Sequence, residues 1–148
     1  MKIAVGADHG GFESKKEIIR RLRDEGYEVI DCGTYSSDMV DYPVIAKKTV
    51  ETMFSSSAEK AILICGTGIG MSIAANKIDG IRAAHVTDCF SAEMARAHND
   101  SNVLCLGARI TGIELMWKIV KTYLSSDFTG SFHKKRVDML NRDFMMGK

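Results

Sequence analysis

Residues 61–77 read AILICGTGIGMSIAANK, an apolar run that passes directly into a glycine-rich turn and then a helical segment. Ala61 to Cys65 is apolar at every position, the composition of a parallel strand buried on both faces rather than of one with a wetted side. Gly66-Thr67-Gly68-Ile69-Gly70 lets the chain turn sharply and open a helix. A strand feeding a helix in this way is half of a β-α-β unit, and the flanking segments decide whether the unit repeats.

It repeats in both directions. Upstream, Lys2 to Gly6 reads as a buried strand, followed by a helix from Phe12 to Glu25 with Phe12, Ile18, Ile19 and Leu22 on one face and Gly26 as its stop. Tyr27 to Cys32 is the next strand. Pro43 then sits where a helix favours its first residue, with Val44, Ile45, Val50, Met53 and Phe54 directed inward and Ser55 to Ser57 as the end. Downstream, Arg82 to Val86 and Val103 to Leu106 read as strands around a helix from Ser91 to His98. A helix from Ile113 to Leu124 presents Ile113, Met116, Trp117, Val120 and Leu124, and a last one from Lys135 to Met145 presents Val137, Leu140 and Phe144. The rhythm predicts an α/β fold: a three-layer, Rossmann-like, doubly wound sheet of five parallel strands with right-handed crossovers, one domain over residues 1–148.

Composition removes several classes of function. The chain has 148 residues, 45% of them hydrophobic, and its 20 Lys plus Arg against 19 Asp plus Glu leave a formal charge of +1. A nucleic-acid-binding domain is expected to carry a basic excess, so no nucleic acid is expected as partner. No apolar stretch approaches the ~20 residues of a membrane span, and MKIAVGADHGG lacks the basic and long apolar regions of a signal peptide, so no membrane association and a cytoplasmic address are expected. Cys32, Cys65, Cys89 and Cys105 form no CxxC and no Cys/His pair at zinc spacing, which reads as four reduced thiols and no metal site.

A doubly wound sheet binds its ligand outside the carboxyl ends of the strands, near a switch in strand order. The sequence is polar there: Ala7-Asp8-His9-Gly10-Gly11 follows strand one, the glycine loop follows strand three, and Gly107 and Arg109 follow strand five. The glycine loop lacks the spacing of GxGxxG and the Gly-Lys-Ser/Thr of a P-loop, which leaves an oxyanion or phosphate cradle at a helix start, or a plain tight turn. Cys65 immediately precedes that loop, where amide dipoles favour a reactive thiol; Cys32 and Cys105 lack such a setting. Asp8-His9 suits proton transfer or loop capping. His98-Asn99-Asp100 closes a helix, where a histidine also complements the helix dipole. His85, inside a strand, reads as structural. Arg109 and Arg136 suit a phosphate, whereas Lys134 and Lys135 read as a solvated helix face.

Taken together, Ala7-Asp8-His9-Gly10-Gly11, Asp41-Tyr42-Pro43, the run Ile64 to Lys77, Gly80-Ile81-Arg82-Ala83-Ala84 and His98-Asn99-Asp100 make the chain resemble the B-type ribose-5-phosphate isomerase family, which includes the subunits of galactose-6-phosphate isomerase. The resemblance covers almost the whole chain. It implies interconversion of an aldose phosphate and a ketose phosphate through a cis-enediolate, in pentose phosphate metabolism, with no metal or organic cofactor. Under it Cys65 is the carbon base, Thr67 moves protons between the two oxygens, and the amides of Gly66, Thr67, Gly68, Ile69 and Gly70 stabilise developing charge. His98, with Asp8 nearby, opens the sugar ring, and Asp8, His9, Tyr42, Asn99, Arg109 and Arg136 contact the phosphate and hydroxyls. It also implies a homodimer or a dimer of dimers with the site at the interface, His98, Asn99 and Arg109 facing Cys65 of the partner chain.

One residue departs from the pattern. The family often carries an arginine just before the histidine at position 133, where this chain has Phe132. Phe132 offers a phosphate no cation, so Arg136, Arg109 and His9 hold the phosphate, or Lys134 substitutes, or the substrate differs. Other readings are therefore an isomerase of a six-carbon sugar phosphate, such as galactose or allose 6-phosphate, an isomerase of a four-carbon one, or a sugar-phosphate binding module without catalysis.

Overall fold

The computed structural model describes residues 1–143. The strands are β1 (Lys2–Ala7), β2 (Glu28–Asp31), β3 (Lys60–Cys65), β4 (Ala83–His85) and β5 (Val103–Gly107). Between and after them run α1 (Phe12–Asp24), α2 (Tyr42–Ser55), α3 (Ile69–Ala75), α4 (Cys89–Ala97), α5 (Ile113–Ser125) and α6 (Ser131–Asp143). All pairings are parallel, in the order β2-β1-β3-β5-β4, as expected for a doubly wound sheet.

Alternation along β3 divides the interior into two layers. Ile62 and Ile64 face α1, α4 and α5, joined by Ile18, Leu22, Leu104, Leu106, Met116 and Tyr123. Ala61, Leu63 and Cys65 face α2 and α3, joined by Ala46, Val50, Met71 and Cys105. Every one of the named β3 residues is at most 5% exposed, so each large side chain contributes about 1.5–3 kcal/mol of apolar burial.

Some inward assignments change. Val44 is 60% and Phe54 53% exposed, because only positions Ile45, Ala46, Thr49, Val50 and Met53 of α2 fall against the sheet. On α6 Val137 is buried, but Leu140 is 45% exposed; Phe144, expected to face inward, and Met145, the expected end of the helix, lie outside the described residues. β4 is shorter than expected at both ends: the Arg82 amide turns to the Asn102 side chain at 2.9 Å, and Val86 donates to the Cys105 carbonyl as the strand ends. α6 begins at Ser131, so His133 and Lys134 lie within it. Among the described residues no helix is long and apolar enough to cross a membrane.

Candidate active site

Chain order reverses at β1 and β3: β1 pairs with β2 on one side and with β3 on the other. Their carboxyl ends therefore open a crevice, and the two polar loops meet there. A Cβ placed on Gly10 would stand 3.2 Å from the Gly66 amide nitrogen.

Cys65 is the last residue of β3 and is 5% exposed. Its Sγ accepts a hydrogen bond from the Gly68 amide at 3.1 Å. Gly68 reaches that geometry with φ +82°, and an added Cβ would meet the His85 ring at 2.6 Å and the Leu106 carbonyl carbon at 2.9 Å. A left-handed backbone and a blocked Cβ both require glycine. His85, expected to be structural, is thus the wall behind the loop; its Nε2 is buried without a hydrogen-bond partner among the described residues.

The exposed Thr67 accepts from the Ile69 amide at 3.3 Å through Oγ1. Two amides expected to point at substrate, those of Gly68 and Ile69, are thus turned back onto Cys65 and Thr67 by the tightness of the turn. Tyr42, at the start of α2, lays its ring beside Gly70, 2.9 Å from where a Cβ would stand.

Asp8 caps the loop that follows β1. It is 8% exposed, and its Oδ1 accepts from the amides of Gly10 at 2.9 Å and Gly11 at 3.2 Å, fixing the loop that carries His9. His9 Nδ1 accepts from the Val40 amide at 3.3 Å. With Nδ1 acting as acceptor, the neutral ring carries its proton on Nε2, a donor for a ligand oxygen.

Arg109 was expected to face the partner's Cys65, but it lies against Gly66 of its own chain. Its amide donates to the Gly66 carbonyl at 2.9 Å, and its side chain stands 3.4 Å from the Gly66 Cβ position. The pairing of Cys65 with Gly107 at the ends of β3 and β5 forces this, because Arg109 follows Gly107 by two residues.

His98 and Asn99 occupy the opposite end of the sheet. His98 ends α4, ahead of Val103, whereas Cys65 pairs with Gly107 at the far end of β5. At ~3.3 Å per residue the length of β5 alone separates them by about 13 Å, so His98 does not meet Asp8 or Cys65 within one chain. The His98 ring stacks on His133 at 4.0 Å, with an interplanar angle of 11°. Phe132 tilts against His133 at 4.2 Å and underlies the Arg136 guanidinium at 5.3 Å. Burial, with His98 and Arg136 close by, holds the His133 imidazole below its ordinary pKa. Lys134, the possible replacement cation, is tied to Asp138 at 2.7 Å. A cleft of about 710 Å³ opens beside Asn99, between the connection into β4 and α6, and does not include Cys65.

Burial pushes the thiol of Cys32 up, and that of Cys105 well up, and none of the four cysteines is in a disulfide. Among the described residues no group of three or more His, Cys, Asp or Glu side chains is placed to hold a metal.

Two participants escape a sequence reading. Val40 contributes only a backbone amide, which leaves no trace in residue identity. Lys15 is 1% exposed, and its sequence signal was available: a lysine on the same helical stripe as Phe12, Ile18, Ile19 and Leu22.

Comparison with known proteins gives the chain a family. The model of the Ribose/Galactose Isomerase family matches residues 3–140. The chain is 46% identical over 139 residues to ribose-5-phosphate isomerase B of Escherichia coli strain K12, covering 94% of this chain and 93% of that protein. The solved structure of ribose-5-phosphate isomerase B from Clostridium thermocellum superposes with a TM-score of 0.94 at 48% identity, over 97% of each chain. That of ribose-5-phosphate isomerase B from Mycoplasma genitalium, with bound ribulose-5-phosphate, gives 0.93 at 36% identity, over 99% of this chain and 97% of that one. Matched along nearly its whole length by family, by sequence and by fold, the chain belongs to the ribose/galactose isomerase family.

Proposed function

We propose that this chain is a cytoplasmic aldose-ketose isomerase that interconverts ribose 5-phosphate and ribulose 5-phosphate, a step of pentose phosphate metabolism. The observation that carries the reading is the Cys65 sulfur at the switch point, capped by the Gly68 amide and bordered by Thr67, in a family that includes ribose-5-phosphate isomerases.

Cys65 as thiolate takes the proton from C2 of the open-chain aldose and returns it to C1 of the cis-enediolate. The Gly68 amide supplies positive charge to the sulfur while the proton is away. Thr67 carries a proton between the two sugar oxygens, and the His9 Nε2 proton hydrogen-bonds one of them. Arg109 binds phosphate or hydroxyl from beside Gly66. The thiolate and the thiol alternate, so the reaction returns the site to its starting state with no redox change.

His98, Asn99 and Arg136 lie too far from Cys65 of their own chain to share a substrate with it, which supports a site completed by a second copy of the chain. In that assembly His98 of the partner subunit opens the furanose ring and Arg136 of the partner subunit holds the phosphate.

Phe132 favours a second reading within the same chemistry. It leaves Arg136 as the nearby guanidinium beside the His98–His133 stack, and a six-carbon or four-carbon sugar phosphate is then the alternative substrate.

The purified protein, in D2O with EDTA, is expected to convert ribose 5-phosphate to ribulose 5-phosphate with solvent deuterium appearing at C1 of the ketose. Binding of the sugar phosphate without any deuterium exchange would leave only a binding module. A kcat/KM panel over four-, five- and six-carbon sugar phosphates decides the substrate, and a clear preference outside the pentoses selects the alternative.

A further inference from the structure

We propose that Lys15 is a positioning residue for His9: from its buried seat on α1 it anchors the 31–40 loop, and the far end of that loop fixes the His9 ring. The proposal rests on the isomerase reading for its kinetic consequence, but the geometry it invokes is independent of any substrate.

Lys15 is 1% exposed, and its ammonium pairs with Asp31 Oδ1 and donates to the Thr34 carbonyl at 2.7 Å. The same Asp31 oxygen accepts from the Gly33 amide at 3.0 Å. The rings of Tyr35 and Phe12 flank the ammonium, with centroids at 5.1 and 5.9 Å. A charge this deeply buried survives only when it is paired and hydrogen-bonded, so the segment it holds is held firmly.

That segment is stitched to the residue before Asp8-His9. The Ala7 amide donates to the Gly33 carbonyl at 2.7 Å, and the Thr34 amide donates to the Ala7 carbonyl at 2.6 Å. Six residues past Thr34 the loop delivers the Val40 amide to His9 Nδ1. His9 is thus gripped twice: through its backbone, which follows Ala7, and through its ring, which Val40 locks into one tautomer. Both grips trace back to the 31–34 segment on Lys15. Without that anchor the Val40 amide no longer has a fixed place, and the His9 proton distributes between its two nitrogens.

The chain has 4 histidines, so a 15N-histidine spectrum is sparse, and His9→Gln identifies the His9 signals by their disappearance. In the wild type at pH 7.5, Nδ1 is expected in the unprotonated acceptor range and Nε2 in the protonated range. Lys15→Met should draw both toward the tautomer average and raise KM for ribose 5-phosphate about tenfold, with kcat changed less than about threefold. Ile119→Ala, on the buried face of α5, controls for loss of stability and should leave the His9 signals in place. Should Lys15→Met fail to fold, Lys15→Met/Asp31→Asn removes the partly buried carboxylate left unpaired and is expected to show the same tautomer averaging. A folded Lys15 variant that keeps wild-type His9 signals overturns the proposal, as does a control that shifts them equally. An inactive wild type overturns the isomerase reading instead, and the His9 signals still decide the role of Lys15.

Discussion

The Gly68 amide points back across its own turn at the Cys65 sulfur, 3.1 Å away, so the loop that ends β3 grips the one thiol placed at the crevice between β1 and β3. Cys65→Ala removes the sulfur without disturbing the strand, whose other residues carry the packing. Isomerase turnover is expected to fall by about 10³ or more, with the melting temperature changed by only a few degrees. Retained turnover in the folded variant would remove Cys65 from the chemistry.

Gly68→Ala tests the turn itself. The positive φ and the two close contacts should together cost about 2 kcal/mol or more and reduce activity along with stability. Adding His85→Ala relieves the contact with the ring but neither the φ nor the contact with the Leu106 carbonyl carbon. The double variant should therefore recover only part of the loss by thermal denaturation. Full recovery would place the constraint in His85 alone.

Cys65 and His98 can be separated by genetics because they sit at opposite ends of the sheet. Cys65→Ala and His98→Asn homodimers should each be nearly inactive. Refolded together in equal amounts, half of the dimers are mixed, and each mixed dimer holds one site with both groups intact. About a quarter of wild-type activity should return. No recovery, with mixed dimers demonstrated by mass, would argue that each chain completes its own site.

His133 carries a pH dependence of definite sign. Its pKa in the folded chain is lowered, so between that value and the ordinary value near 6.5 the unfolded chain binds the extra proton. Stability should fall as the pH drops through about 6.5 toward the folded value and change no further below it. His133→Asn is expected to flatten that part of the profile in denaturant titrations at a series of pH values; an unchanged slope would assign the loss to another group.

The parallel sheet was legible because β3 and its neighbours are apolar throughout, and the glycine loop beside Cys65 was legible because a turn of that kind demands particular residues. Val44 and Phe54 misled because an apolar residue at a helix start or end costs little when exposed, so identity alone does not reveal its direction. Lys15 went unread for the opposite reason: a lysine on an apolar stripe is taken as solvated until its partners, Asp31 and the Thr34 carbonyl, are seen. The own-chain position of Arg109 depends on β5 pairing with β3, a matter of strand order that no local pattern encodes.

The separation of the Cys65 loop from the His98–His133 stack has a consequence for how the protein responds to dilution. On the proposed two-chain site, each chain carries the whole set of reacting groups without bringing them to one sugar, so specific activity is expected to depend on protein concentration. Below the dissociation constant of such a pair, the chain is expected to stay folded on its own core while turnover per chain falls in proportion to the fraction still associated. With a site of that kind, a cell that makes little of this protein would lose the reaction before it loses the fold.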